Sequence, residues 1–254
     1  MKFTTAITRQ PGSSLVKGIT TASLGIPDIH TALEQHAAYV KALKSCGLEV
    51  IELAANEDFP DATFVEDVAI CKGNFALITR PGAASREAEI ELIRAPLAEH
   101  FDEIQGIEFP GNLEGGDVMM VGNHFFIGLS ERTNREGANQ FIQLLEMNGL
   151  SGTIVEFKDI LHLKTGVSYL EGNTMVICKD FADLPIFQGY EMIVVPEDEA
   201  YAANCIWVNG SIFLPAGFPK TRDQLIAKGF KLIELEMSEF QKVDGGLSCL
   251  SLRF

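Results

Sequence analysis

Side chains able to do chemistry recur in this chain at near-constant spacing: Glu66 with Asp67, then Glu114, His162, Asn204 and Cys249. Successive steps are 48, 48, 42 and 45 residues, and each position falls at the edge of a short apolar run. A thiol can act as nucleophile. An imidazole, with an ordinary pKa of ~6.5, can protonate a leaving amine and later serve as base. A carboxylate can orient that imidazole and stabilise its charge. Gathered at one mouth, these groups are the set that covalent thiol catalysis requires.

Taken singly, the same residues have plainer readings. A lone cysteine ordinarily packs in a core, a lone histidine ordinarily sits satisfied in a core or on a surface, and Gly111–Asp117 reads as a turn with solvated acids. Cys249 departs from this because Gly245 and Gly246 precede it, and two glycines permit a tight turn that presents the thiol. Cys46, Cys71, Cys178 and Cys205 keep the plain reading, as do His30, His36, His100 and His124.

The elements that must position the set repeat with the same period. Residues 66–71 and 74–79 read as short strands around Lys72-Gly73, 85–99 as a helix and 104–108 as a strand. The pattern returns at 117–121 and 124–128, with a helix over 133–148 that turns Phe141, Leu144 and Leu145 inward and a strand at 153–157. It returns again at 204–208 and 211–214 around Asn209-Gly210, a favoured hairpin dipeptide, with a helix over 219–229 and a strand at 231–235. A fourth unit at about 160–195 is less regular, with strands predicted at 175–178 and 193–195 and a weak helix. The terminal strand 248–253 can pair with 3–8, and the helix 28–46 leads to a strand at 48–53, so a fifth unit is split across the two ends. A strand-and-helix period of ~40–50 residues indicates repeat architecture, and a split unit indicates a closed ring. A doubly wound sheet is disfavoured, because hairpins precede each helix and no glycine-rich phosphate loop opens any unit. One domain over 1–254 is expected, since no linker or break in composition divides the chain.

Composition excludes several classes. The net charge of −15 argues against nucleic acid, whose phosphates require a basic surface, and favours a small cation. Five widely spaced cysteines without a C-x-x-C pair make disulfides and structural zinc poor expectations. A start without a basic and apolar leader, and no apolar run near ~18 residues, lead us to expect a soluble cytoplasmic protein that contacts no membrane.

Five motifs, in order, carry a resemblance over essentially the full length: Phe59-Pro60-Asp61, Phe64-Val65-Glu66-Asp67, Leu113-Glu114-Gly115-Gly116-Asp117, His162-Leu163-Lys164-Thr165-Gly166 and Asp244-Gly245-Gly246-Leu247-Ser248-Cys249-Leu250-Ser251. They closely resemble the bacterial dimethylarginine dimethylaminohydrolases of the pentein, or guanidino-group-modifying, superfamily. The resemblance implies an α/β fold, a five-bladed pseudosymmetric propeller of ββαβ repeats. It also implies hydrolysis of Nω-methylated arginine to citrulline and an amine through a thiouronium on Cys249, with no cofactor and no metal. His162 would then be the acid and base, and Glu114 its orienting partner. Glu66 and Asp67 would grip the guanidinium, Arg86 and Arg132 the carboxylate, and Asp61 with the carbonyls near Ile19 and Val243 the α-ammonium. Residues 12–25, with Gly12, Gly18 and Gly25, would form a mobile lid. Relatives often pair, so a homodimer is expected.

Three alternatives stay open on the sequence. Arginine deiminases of the superfamily carry His-x-Asp where this chain has His162-Leu163-Lys164; an acceptor for the far guanidinium nitrogens is thereby lost, which favours nitrogens that carry methyl groups. Some penteins are non-catalytic binding modules, but those lack the thiol, imidazole and carboxylate set. Glu114, His162 and Cys249 are also types that bind zinc, and activity that survives chelation would separate that reading.

Overall fold

The computed structural model describes residues 2–254, which build five three-stranded sheets. In chain order the elements begin with β1 (Thr5–Arg9), α1 (Ile29–Ser45) and β2 (Glu49–Leu53). The second sheet follows with β3 (Ala69–Lys72), β4 (Phe75–Ile78), α2 (Glu91–Ala98) and β5 (Ile104–Gly106), and the third with β6 (Val118–Val121), β7 (His124–Leu129), α3 (Arg135–Met147) and β8 (Ser151–Glu156). A one-turn helix α4 (Leu163–Gly166) leads into β9 (Val167–Tyr169), β10 (Thr174–Ile177), the short α5 (Lys179–Ala182) and β11 (Glu191–Val194). The fifth sheet has β12 (Ile206–Val208), β13 (Ser211–Pro215), α6 (Pro219–Ala227) and β14 (Leu232–Leu235). After α7 (Ser238–Gln241) the chain closes with β15 (Leu252–Arg253).

Every sheet obeys one rule. An inner strand runs antiparallel to a central strand, and the central strand runs parallel to an outer strand reached through the helical segment. In the split sheet, β15 is the inner strand, antiparallel to β1, and β1 is parallel to β2. The ββαβ repeat with closure across the ends, expected from the sequence, is therefore the fold.

The core is a ring of clusters between neighbouring blades, produced by the period of two along the central strands. In β7, Phe125 and Ile127 face the second blade, while Phe126 faces the fourth. In β13, Phe213 packs toward α1 and the split blade, whereas Ile212 and Leu214 pack toward the fourth. Central strands are thus buried on both faces, which is why β4, β10 and β13 read as continuous apolar runs rather than as alternation. Each such large side chain contributes ~1.5–3 kcal/mol over an exposed one.

Local signals fix the connections. The Asp28 side chain accepts from the Thr31 N–H at 2.8 Å and caps α1, worth ~1 kcal/mol. Asn134 caps α3 by accepting from Gly137 N–H. Asn209 and Gly210 take positive φ (46° and 94°), as a two-residue hairpin demands.

The fourth blade departs most from expectation. Its inner strand β9 escapes the sequence pattern, and its helix has four residues. Two expected strand starts are instead 3-10 turns, Val65–Val68 and Leu247–Leu250. The inner strands surround an axial cavity of ≈ 130 Å³, and these turns stand at one end of it.

Candidate active site

Each residue of the recurring set occupies the same place in its unit, the turn leading into the inner strand. Glu66 and Asp67 lie in Val65–Val68, Glu114 precedes the turn Gly115–Asp117, His162 precedes α4, Asn204 ends the turn Glu197–Ala203, and Cys249 lies in Leu247–Leu250. Five-fold pseudosymmetry therefore converts spacing along the chain into proximity around an axis. A cavity of ≈ 50 Å³ is walled by Asp67, Glu114, His162 and Cys249, with Asp61, Arg86 and Arg132 at its side and Ile19 and Val243 above.

His162 Nε2 lies 2.8 Å from Glu114 Oε2, and both residues are buried. Burial alone would lower the imidazole pKa, but Asp117, the Glu114 hydrogen bond and Asp67 outweigh it and push it up to about 9. The ring is therefore an imidazolium at neutral pH, held by Nε2 with Nδ1 left for other work. Asp117 anchors the next residue, accepting from Leu163 N–H at 2.9 Å and from the Ser130 hydroxyl at 2.6 Å. A Cβ on Gly116 would come within 2.8 Å of the imidazole, so glycine is what lets these turns touch.

The turn that carries Cys249 is tied just as closely. Asn204 Oδ1 accepts from Ser248 N–H at 3.0 Å, and its Nδ2 donates to Ser248 Oγ at 3.3 Å. The Tyr201 hydroxyl donates to the Gly245 carbonyl at 2.7 Å. A Cβ on Gly246 would lie 2.5 Å from the Asn204 amide, which excludes any larger residue there. Asn204 is thus the bracket for Cys249. Burial and the charges of Asp67 and Glu66 push the Cys249 thiol up to about 12, so it rests protonated.

Asp67 accepts from Arg86 Nη1 at 2.6 Å and from Gly116 N–H at 3.0 Å. Burial works against ionisation, but Arg86 and His162 hold this carboxyl below the usual range. Arg86 is heavily engaged. Its Nε and Nη2 donate to Glu89, and Nη2 also reaches the Phe64 and Asp61 carbonyls. One Nη1 hydrogen is left to offer a ligand. Arg132 is freer, with Nη1 3.7 Å from Glu114 Oε1. Glu89 and Asp117 are two members of this network to which the sequence reading gave no role; the first stands one helical turn after Arg86, and the second closes the Leu113–Asp117 motif.

Glu66 faces the other way. Its Oε1 pairs with Lys164 Nζ at 2.6 Å and with Arg253 Nη2 at 3.5 Å, and it lines the axial cavity rather than the smaller one. Lys164, which stands where an acceptor for the far guanidinium nitrogens would be lost, is an ion-pair partner of Glu66.

The segment over the mouth is a strap tied by three carboxylates. Glu57 accepts the Ser13 and Ser14 N–H groups, Asp61 accepts that of Ile19, and Asp244 accepts that of Thr21. Asp67, Glu114 and His162 could together hold a metal ion, since one ligand atom of each lies within 4.8 Å of the others. A cation there would have to displace the imidazolium proton and compete with Arg86. All five cysteines are free, and no helix among the described residues is long and apolar enough to cross a membrane.

A closed ring of five ββαβ blades, here with a thiol, an imidazole and carboxylates at one end of its axis, defines a pentein. Residues 27–251 match the family described as N,N dimethylarginine dimethylhydrolase, eukaryotic. The chain is 49% identical over 253 residues to the N(G),N(G)-dimethylarginine dimethylaminohydrolase of Pseudomonas aeruginosa, covering 99% of this chain and 100% of that one. It is 35% identical over 251 residues to the enzyme of the same name from Streptomyces coelicolor, covering 98% and 96%. The solved structure of a cysteine-to-serine mutant of the Pseudomonas aeruginosa protein, complexed with citrulline, superposes with a TM-score of 0.99 at 48% identity over 100% of both chains. The chain belongs to the dimethylarginine dimethylaminohydrolase family.

Proposed function

We propose that this protein hydrolyses asymmetric dimethylarginine and monomethylarginine to citrulline and dimethylamine or methylamine. The observation that carries the reading is the placement of Cys249, the His162–Glu114 pair and Asp67 around one small cavity. A guanidinium is cationic and resonance-stabilised, so hydrolysis requires anions to hold it and a strong nucleophile at its central carbon. Asp67, and Glu66 behind it, supply negative charge. With the cation bound, the Cys249 thiol releases its proton to solvent and the thiolate attacks the guanidinium carbon; the His162 imidazolium gives its proton to the departing amine as the C–N bond breaks, leaving a thiouronium on sulfur. Water then attacks, the now neutral His162 takes its proton, and citrulline leaves. Asp61 with the Ile19 and Val243 carbonyls takes the α-ammonium, and Arg132 with the remaining Nη1 hydrogen of Arg86 takes the carboxylate.

The thiol is activated by its own substrate in this scheme. A cation beside Asp67 and Glu66 offsets the charges that keep sulfur protonated, so its pKa must fall on binding. The rate of Cys249 alkylation by iodoacetamide should therefore rise with pH toward about 12 in the free protein. With a non-reactive alkylamidine bound beside the sulfur, the profile should move to lower pH. An unmoved profile would refute substrate activation.

Selectivity gives the decisive assay: citrulline release from asymmetric dimethylarginine compared with release from arginine. Lys164 stands where the superfamily's deiminases carry an aspartate, so a site without that acceptor leaves unmethylated N–H donors unpaired, at ~1–3 kcal/mol each. Turnover of the methylated substrate, with kcat/KM at least ~10-fold above that for arginine, is expected. Equal rates would overturn the reading. The proposal extends to a single catalytic domain over 1–254, because β15 returns to β1 and completes the split blade. A cytoplasmic location, as expected from the sequence, and a homodimer, carried over from the family resemblance, complete the proposal.

A further inference from the structure

Two cavities lie on either side of the entry turns, and neighbouring residues of those turns line one or the other. The entry turns contribute alternate neighbours to the two sides: Asp67 to the small chamber and Glu66 to the axial cavity, Glu114 and then Gly115, Cys249 and then Ser248. Ser248 Oγ lies 3.9 Å from Cys249 Sγ, so the nucleophile sits directly beside a residue of the axial lining. The Lys164–Glu66 ion pair is part of the same lining.

The axial cavity has room for water. At ≈ 130 Å³ it can take several molecules. Two of its lining residues carry a buried polar atom without a hydrogen-bond partner in the protein, the Glu66 Oε2 acceptor and the Trp207 Nε1 donor. Leaving either bare is unfavourable, and bridging water is the ordinary remedy. From the entry turns the cavity runs between the inner strands to Tyr169, Glu171 and Trp207, which are partly exposed.

Chemistry supplies a need for such a store. The reaction has a second half that consumes one water, at a time when the amino-acid end of the adduct fills the front mouth. The strap held by Glu57, Asp61 and Asp244 covers that mouth, and the chamber beneath is ≈ 50 Å³. We propose that the hydrolytic water comes from behind, out of the axial cavity and past the Glu66–Lys164 pair. This rests on the hydrolase reading above. The oxygen bonds to the thiouronium carbon, one proton passes to neutral His162, and the tetrahedral carbon then expels sulfur. The C–S bond breaks, the hydroxyl proton returns to Cys249, and neutral citrulline forms.

Filling the cavity tests this. Cys71 lies on β3, lines the axial cavity and has no part in the chamber. Cys71→Phe, or the milder Cys71→Met should the first fail to fold, is compared with the natural protein on asymmetric dimethylarginine. The expected result is a kcat lowered ~10-fold or more, with the thiouronium adduct accumulating in quenched intact-mass spectra. Alkylation of Cys249 by 2-chloroacetamidine, which stops at the covalent bond, should keep its rate. A folded, filled variant with unchanged kcat overturns the proposal, and so does a lowered kcat without accumulated adduct. Absence of turnover in the natural protein would instead strike the hydrolase reading itself, and this inference with it.

Discussion

Serine in place of Cys249 is expected to abolish citrulline release, with kcat lowered on the order of 10⁴-fold or more. The oxygen would occupy nearly the same place, bracketed by the same Asn204 contacts to Ser248, so substrate should still bind. What is lost is ionisation. The thiol, though held at about 12, comes within reach once a cation sits beside Asp67 and Glu66, whereas a hydroxyl in that acidic setting does not. Calorimetric binding of dimethylarginine, together with quenched-flow citrulline release, separates the two effects. Retention of more than about one hundredth of the natural kcat would contradict a sulfur nucleophile.

Replacing His162 by glutamine should lower kcat on methylarginines by ~10²–10⁴-fold, the usual contribution of a general acid. Its pH signature is more telling. The imidazole is raised to about 9, so the acid form is present below that value and disappears as pH climbs through it. The natural protein should lose its first chemical step along that limb, and His162→Gln should show no such limb. A substrate whose leaving group departs as a thiolate needs no proton at departure. With it, the variant should still form the covalent adduct and then stall, because hydrolysis lacks its base. An intact-mass experiment finding no adduct would mean that His162 assists attack rather than departure.

The order of the motifs and the period of the units were legible in the chain because pseudosymmetry writes one structural place five times. Glu114, His162 and Cys249 could be placed together from spacing alone. Side-chain partners were not legible. Asp67 and Glu66 are adjacent, yet they serve opposite cavities, because the Val65–Val68 stretch winds as a turn against Gly115 and Gly116 of the next blade. A Cβ on Gly115 would lie 1.9 Å from the Glu66 carbonyl. Arg86, expected to hold a carboxylate of the substrate, is largely committed within the protein, because burial pairs it with Glu89 three residues on. Strand β9 was hidden because Ser168 donates inward to the Ala203 carbonyl, so a polar residue stands where an apolar one was sought.

The acid-lined setting of Cys249 also bears on survival between turnovers. Peroxides oxidise thiolates, not thiols, and the first product is a sulfenic acid. A sulfur kept in its SH form until a guanidinium arrives is a slow target for such oxidants. Under the proposed mechanism the resting protein keeps its reactive atom masked, and the molecule that unmasks it is the one it then consumes.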